Sequence, residues 1–303
     1  MLDEVLDGLR QSQKSLPSKF FYDEKGSKIF NEITQLKEYY PTRTERRILD
    51  RNITDIGRHL GDKVALFEPG SGSSEKTMVL LTRLPEIKYY IPIDISGDYI
   101  FKVAEKLKRQ FEGIEVVPVQ ADYTRPFELP EVNDDVRNIV FFPGSTIGNF
   151  NLQTVHRFLN VVANIAGSNG GFLIGVDLKK EIPLLEAAYN DAKGVTAAFN
   201  KNILHHINRK TGANFDVDKF RHKATWNEKK GRIEMHLIAD KDHTVQLNGE
   251  AVHFSMGESI HTENSHKYTL DEFEEMVSPW FEVKQVWLDE NRWFSVQYLE
   301  PVG

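Results

Sequence analysis

The stretch 67-FEPGSGSSEKT-77 ends a short apolar run in a glycine turn, and its reading decides the fold. Three nucleotide-binding signatures overlap in it. Gly70, Gly72 and the Lys76-Thr77 pair nearly spell the phosphate loop G-x-x-x-x-G-K-[ST], and Gly70-x-Gly72 opens the dinucleotide fingerprint. A third reading is the glycine turn that holds S-adenosylmethionine. Glu75 stands where both of the first two motifs need glycine. A carboxylate there repels phosphates and blocks close helix–sheet packing. The third reading asks for less. The backbone at Gly70 and Gly72 must approach the amino-acid end of the cofactor. An acidic residue should end the second strand to accept ribose hydroxyls, and Asp94 in 91-IPIDIS-96 is so placed. A polar residue should follow the third strand to meet the adenine amino group, and Asp122 in QADY fits, with Tyr123 flanking the ring. A strand-end Asp is often only a helix cap, so the order of these features over successive βα units carries the argument.

Outward from the turn, the pattern predicts strands over 64–68, 89–95, 115–120, 138–143 and 171–178, with helices over 75–84, 97–111 and 152–166 between them. Such alternation implies a parallel sheet covered on both faces. Before it, helices are expected over 1–12, 26–36 and 43–59, with Pro41 punctuating the last two. After it the rhythm breaks. Residues 181–210 read as helical, while 231–240, 243–248 and 251–255 alternate as antiparallel strands, with Asn248-Gly249 as a hairpin signal. A helix over 270–277 precedes strands over 281–288 and 293–299 joined by a tight connection. A parallel core finished by such a hairpin is the class I methyltransferase layout, a Rossmann-like sheet; a dinucleotide dehydrogenase would continue with parallel strands.

Composition narrows the function. The chain has 303 residues and a formal net charge of −7, which argues against nucleic-acid and anionic-membrane partners. It has no cysteine, which excludes disulfides, thiolate catalysis and cysteine-ligated zinc. The acidic start MLDEVLDGLRQSQKSLPSKF lacks a signal-peptide layout, and no apolar run approaches ~18 residues. A cytoplasmic protein acting as a monomer on a small molecule is expected. The ten histidines form no H-E-x-x-H motif, and His205-His206 point different ways on a helix, so no metal is expected.

Six segments carry a resemblance over nearly the whole chain: 20-FFYDEKGSKIFNEITQLKEYYPTRTE-45, EPGSGSSEKT, 143-PGSTIGNF-150, 189-YNDAKGVTAAFNKNIL-204, 231-GRIEMHL-237 and 261-HTENSHKY-268. The chain resembles the histidine-specific S-adenosylmethionine-dependent methyltransferases, the L-histidine Nα-methyltransferases of ergothioneine biosynthesis. The resemblance implies conversion of L-histidine to its Nα,Nα,Nα-trimethyl betaine, hercynine, by three methyl transfers. It implies a methyltransferase core over 46–180 and 269–303, and a smaller α+β substrate-binding domain over 1–45 and 181–268. Cofactor contacts are implied at Gly70, Lys76, Asp94, Asp122 and Tyr123, within the turn that also holds Gly72. Substrate contacts are implied at Tyr39, Gly144, Asn149, Tyr189, Met235, Glu263 and Ser265, with Tyr22 as a further tyrosine. One departure is Pro69, where a small or aliphatic residue is expected before the turn.

Transfer of a methyl group from a sulfonium to an amine is an in-line displacement with a neutral leaving group, so positioning supplies most of the catalysis. Asn149 and Tyr39 are expected to supply it. The Asn149 amide can accept from the amine and donate to a carboxylate, and the Tyr39 and Tyr189 hydroxyls can donate to the α-carboxylate. Each also has a bland reading, as a turn residue or an interface aromatic. Glu263 and Ser265 sit two apart, so on an extended chain they share a face and can address the two imidazole nitrogens. Met235, by itself, reads as a core thioether. Three alternatives stay open: the same fold acting on another amino acid such as a tryptophan derivative, a phosphate-loop nucleotide-binding protein, and a catalytically silent binding module.

Overall fold

The computed structural model describes residues 1–72, 76–95, 97–133 and 135–303. Glu75, on which the phosphate-loop reading turns, lies outside them. The chain opens with α1 (Leu2–Leu9), α2 (Glu24–Thr34) and α3 (Tyr40–Leu60). Then come β1 (Val64–Pro69), α4 (Met78–Arg83), β2 (Ile87–Asp94), α5 (Gly97–Gln110), β3 (Glu115–Val116), β4 (Val119–Gln120), β5 (Arg137–Phe142), α6 (Leu152–Ala166) and β6 (Gly171–Asp177). Next are α7 (Ile182–Tyr189), α8 (Val195–Thr211), β7 (Phe220–Asn227), β8 (Arg232–Ala239), β9 (His243–Leu247), β10 (Glu250–Phe254) and β11 (Ser259–His266). The chain closes with α9 (Leu270–Val277), β12 (Phe281–Leu288) and β13 (Phe294–Pro301). Among the described residues, no helix is long and apolar enough to cross a membrane.

The chain divides into two units, Pro41–Lys179 with Tyr268–Gly303, and Met1–Tyr40 with Lys180–Lys267. The first is built on one sheet in the order β12-β13-β6-β5-β1-β2-β3, with β4 also pairing β2. The strands from β6 to β3 are parallel, while β13 runs antiparallel to both β6 and β12. Every residue of β1 and β6 is buried. That is why these strands read as unbroken apolar runs rather than alternating ones. Ile48, Ile56, Leu80 and Leu107 pack on one side of the sheet, and Phe158, Val162 and Phe273 on the other. With every central strand covered, the strand ends and the loops leaving them are left to carry chemistry.

The second unit holds an antiparallel sheet β11-β8-β7 and the hairpin β9-β10. Asn248 and Gly249 both take positive φ, 49° and 81°, as a two-residue turn of the primed type requires. α8 packs on α2 and on β7.

Four sequence expectations need correction. Pro41 does not separate helices but lies in the first turn of α3, where a missing N–H leaves nothing unpaired. The third strand is split into β3 and β4, because Pro118 between them has no N–H for the ladder. The helical run 181–210 breaks between α7 and α8, where the Asp191 carboxylate accepts from the N–H groups of Val195 (3.0 Å) and Thr196 (2.7 Å) and starts a new helix. Finally, β7 was not expected at all, since FRHKATWN mixes charge and apolar residues on an edge strand.

Candidate active site

In the larger unit, β1 ends in a turn held by the Gly70 N–H donating to the Ile93 carbonyl at 2.7 Å. Gly70 and Gly72 have φ of 68° and 50°, which glycine adopts without penalty. A Cβ on Gly70 would stand 3.1 Å from the Tyr123 hydroxyl, whereas one on Gly72 would meet nothing within 4 Å among the described residues. The turn is thus backed by Tyr123 and open over Gly72. Asp94 closes β2, and its Oδ2 lies 3.4 Å from the Gly72 N–H. Asp122 follows β4. Its Oδ1 accepts from the Thr124 N–H (3.0 Å) and hydroxyl (2.6 Å), so it also shapes its own turn. Tyr123 is packed against Phe142, Phe150 and Phe158. Burial, with the carboxylates of Asp94 and Asp122, pushes its phenol upward, so it stays neutral. Open glycine backbone, a strand-end carboxylate and a neutral aromatic floor fit the parts of a nucleoside-bearing cofactor.

Lys76 does not stand alone. Its Nζ lies 3.2 Å from Oε2 of Glu45, which is 1% exposed. Oε1 of Glu45 accepts from the Gly144 N–H at 2.7 Å. Gly144 has a φ of 83°, which favours glycine, and a Cβ there would fall 2.3 Å from the Lys76 Nζ. The loop after β5 continues through Ser145, a non-glycine residue at φ 57°, whose Oγ accepts from the Asp177 N–H at 2.9 Å. Backbone held in that region is strained, and such strain gathers at ligand-binding loops. A short 3-10 turn, Thr146–Asn149, then ends at Asn149. Below the glycine turn, Glu68 is buried and bonded by the Tyr90 hydroxyl. Burial pushes its carboxyl up to about 7.

In the smaller unit, a register irregularity after His261 sets Glu263 opposite Met235 and Ser265 opposite Ile233. Glu263 and Ser265 share one buried face of β11, and Met235 is 1% exposed. Burial pushes the Glu263 carboxyl up to about 8, with the charge of Lys267 pulling the other way. The Ser265 Oγ and the Tyr189 hydroxyl are 2.7 Å apart, and the Lys267 Nζ donates to both, at 2.8 and 2.9 Å. Ser265 and Tyr189 are therefore one hydrogen-bonded group. His222 anchors Tyr189 from behind. Its Nδ1 accepts from the Asn200 amide at 2.8 Å, so its Nε2–H donates to the Tyr189 carbonyl at 2.9 Å. Tyr39 meets Tyr189 edge-on at 6.3 Å, and Phe30 links Tyr39 to the exposed Tyr22.

Glu45, His222 and Lys267 were not singled out from the sequence. Neither was the grouping of Glu234, His236 and His261, whose ligand atoms lie within 4.8 Å of one another. It stands on the sheet face opposite Met235, by strand alternation. Burial acts to raise the Glu234 carboxyl, but Arg232, donating at 2.9 Å, holds it at about 2. That carboxylate is already neutralised by a cation.

The parallel sheet with its antiparallel terminal hairpin, and the open glycine turn followed by Asp94, define an S-adenosylmethionine-dependent methyltransferase of class I. A solved S-adenosylmethionine-dependent methyltransferase from Clostridium acetobutylicum shares the fold, with a TM-score of 0.51 at 10% identity over 90% of this chain and 98% of that one. Residues 1–301 match the family described as histidine-specific methyltransferase, SAM-dependent, and the chain belongs to that family. It is 39% identical to a histidine N-alpha-methyltransferase of Mycobacterium tuberculosis, over 88% of this chain and 83% of the relative. It is 38% identical to one of Mycolicibacterium smegmatis, over 99% of this chain and 91% of the relative.

Proposed function

We propose that this enzyme methylates the α-amine of L-histidine, adding three methyl groups in turn to give the trimethyl betaine. One observation carries the reading. Glu263 is a carboxylate buried on a sheet face opposite Met235, with a hydroxyl two residues along. A carboxylate held away from water is a strong hydrogen-bond acceptor. An imidazole N–H is a donor matched to it; phenylalanine and leucine offer none. The two mycobacterial relatives, by their names, act on the same substrate.

We assign cofactor binding to the unit Pro41–Lys179 with Tyr268–Gly303, and side-chain recognition to the unit Met1–Tyr40 with Lys180–Lys267. Bound S-adenosylmethionine supplies an electrophilic methyl group on a sulfonium. The backbone at Gly70 and Gly72 takes its amino-acid end, Asp94 accepts its ribose hydroxyls, Asp122 its adenine amino group, and Tyr123 flanks the ring. Lys76 serves this site through Glu45, which pins the Gly144 N–H. On the substrate, Glu263 accepts the imidazole N–H, and the Ser265–Tyr189 pair meets the second ring nitrogen. Met235 bounds the space for the ring, and Tyr22 closes the aromatic wall. Tyr39 donates to the α-carboxylate. Asn149, beside Gly144 on the same loop, accepts from the amine and turns its lone pair toward the electrophile. Orientation of this kind is the main catalytic resource of an in-line displacement.

The reading is tested by supplying histidine, tryptophan and phenylalanine in turn with the methyl donor and comparing kcat/KM. A site built around a buried acceptor should disfavour phenylalanine by ~10⁴-fold or more. Comparable values for phenylalanine and histidine would overturn it.

A further inference from the structure

Glu45 is buried in the body of α3, and the fold reserves room for it. Gly175 lies inside β6, a strand buried along its whole length, where a glycine packs nothing and weakens the strand. A Cβ at Gly175 would fall 1.9 Å from Oε1 of Glu45 and 3.1 Å from a ring carbon of Phe294. The space left by the missing side chain is the space the carboxylate fills. Its two oxygens then serve different loops. Oε1 accepts from the Gly144 N–H at 2.7 Å, on the loop after β5, and Oε2 lies 3.2 Å from the Lys76 Nζ, beyond the glycine turn after β1.

We propose that Glu45 is a positioning residue for methyl transfer: one oxygen sets the Lys76 ammonium at the amino-acid end of the methyl donor, and the other sets the backbone of the loop that carries Asn149. The proposal rests on the assignment of Lys76 and Asn149 to the active site.

The chemistry of the side chain shows why it is a glutamate. A carboxylate accepts on both oxygens, whereas an amide accepts on one side and donates on the other. Both groups facing Glu45 are donors, so Gln in its place must set its NH₂ against one of them. The Gly144 N–H belongs to backbone at φ 83° and has no freedom to turn away. The Lys76 ammonium stands on a flexible stem and its side chain is 28% exposed. Gln therefore keeps its oxygen on Gly144 and releases Lys76, while Ala releases both. The two substitutions separate the work of the two oxygens.

The test is a double-mutant cycle in the full chain, read by calorimetry with S-adenosylhomocysteine and by initial rates at saturating histidine and methyl donor, with thermal melts to follow folding. Lys76→Met should weaken S-adenosylhomocysteine about tenfold or more, the range for losing a charge-assisted hydrogen bond to the ligand. Glu45→Gln should weaken it to a similar extent by releasing the ammonium. The double variant should bind no more weakly than Lys76→Met alone, because Glu45→Gln then removes a buried carboxylate that has lost its counter-charge. Glu45→Ala should also lower kcat about tenfold or more below that of Glu45→Gln, since the Gly144 N–H loses its acceptor and the Asn149 loop shifts. Losses that multiply in the double variant, or equal kcat in Glu45→Ala and Glu45→Gln, would overturn the proposal even where the melts fall, because a purely structural carboxylate would lower them alone. If Glu45→Ala does not fold, the isosteric Glu45→Gln cycle decides by itself. Lys76→Met with normal affinity would remove Lys76 from the cofactor site, and with it the reading beneath the proposal; weakened binding in Lys76→Met with normal binding in Glu45→Gln would refute the role of Glu45 alone.

Discussion

Glu263→Gln should reveal itself through pH. Burial pushes the Glu263 carboxyl up to about 8. About a tenth of it is then ionised at pH 7 and about a hundredth at pH 6. The limbs of kcat/KM report groups on the free enzyme and free substrate. The amine of histidine contributes its own limb, so wild type alone is ambiguous. The ratio of wild-type to Glu263→Gln kcat/KM cancels the amine and isolates the carboxyl. Above pH 8 the ratio should reach a plateau of ~10–100, for a charge-assisted hydrogen bond worth ~1.5–3 kcal/mol. Below pH 8 it should fall about tenfold per unit and approach ~1 near pH 6, because a protonated Glu resembles Gln. The assay is initial-rate methyl transfer to histidine across that range. A ratio that stays constant with pH would refute the placement of Glu263 as a buried acceptor.

The same carboxyl makes a stability prediction. Its pKa is raised on folding, so its contribution is fully present below the unfolded value, near 4.5, and is lost as pH rises through about 8. Glu263→Gln should therefore gain on wild type in thermal melts as pH goes from 5 to 9, by on the order of 4 kcal/mol at most; a difference independent of pH would count against it. Asp94→Ala should weaken S-adenosylhomocysteine binding by ~1–3 kcal/mol in calorimetry, through loss of a charged acceptor, and unchanged affinity would remove Asp94 from the cofactor site. Asn149→Ala should lower kcat far more than it weakens cofactor binding, because its effect lies on attack geometry; near-normal turnover would leave Asn149 as a turn residue.

How much of this was legible depends on the kind of signal. β1 and β6, covered on both faces, read as continuous apolar runs, and α6 and α9 carry their periodicity and caps openly. Asp94 and Gly70 are placed by local order, strand then turn, and need no tertiary information. Glu263 and Ser265 show a spacing of two, which has meaning only once the segment is a strand. β7 was missed because one face carries Arg221 and Lys223 and the other is only partly buried beyond Phe220, so this edge strand imitates a loop. Lys267 and Glu45 were missed for a common reason. A charged residue in sequence is read as solvated, and only the fold shows that Tyr189, 78 positions away, meets the Lys267 ammonium, or that the Gly144 N–H, 99 positions away, meets the Glu45 carboxylate. The grouping of Glu234, His236 and His261 likewise depends on β8 and β11 being paired.

The central claim is that methyl groups go to the α-amine of histidine. Its most direct measurement is mass analysis of the product formed from histidine and a methyl-labelled donor, with fragmentation to locate the label. The account predicts successive mono-, di- and trimethylated products with every label on the α-nitrogen and none on the ring. Label on an imidazole nitrogen, or no labelled histidine under conditions where S-adenosylhomocysteine binds, would contradict it.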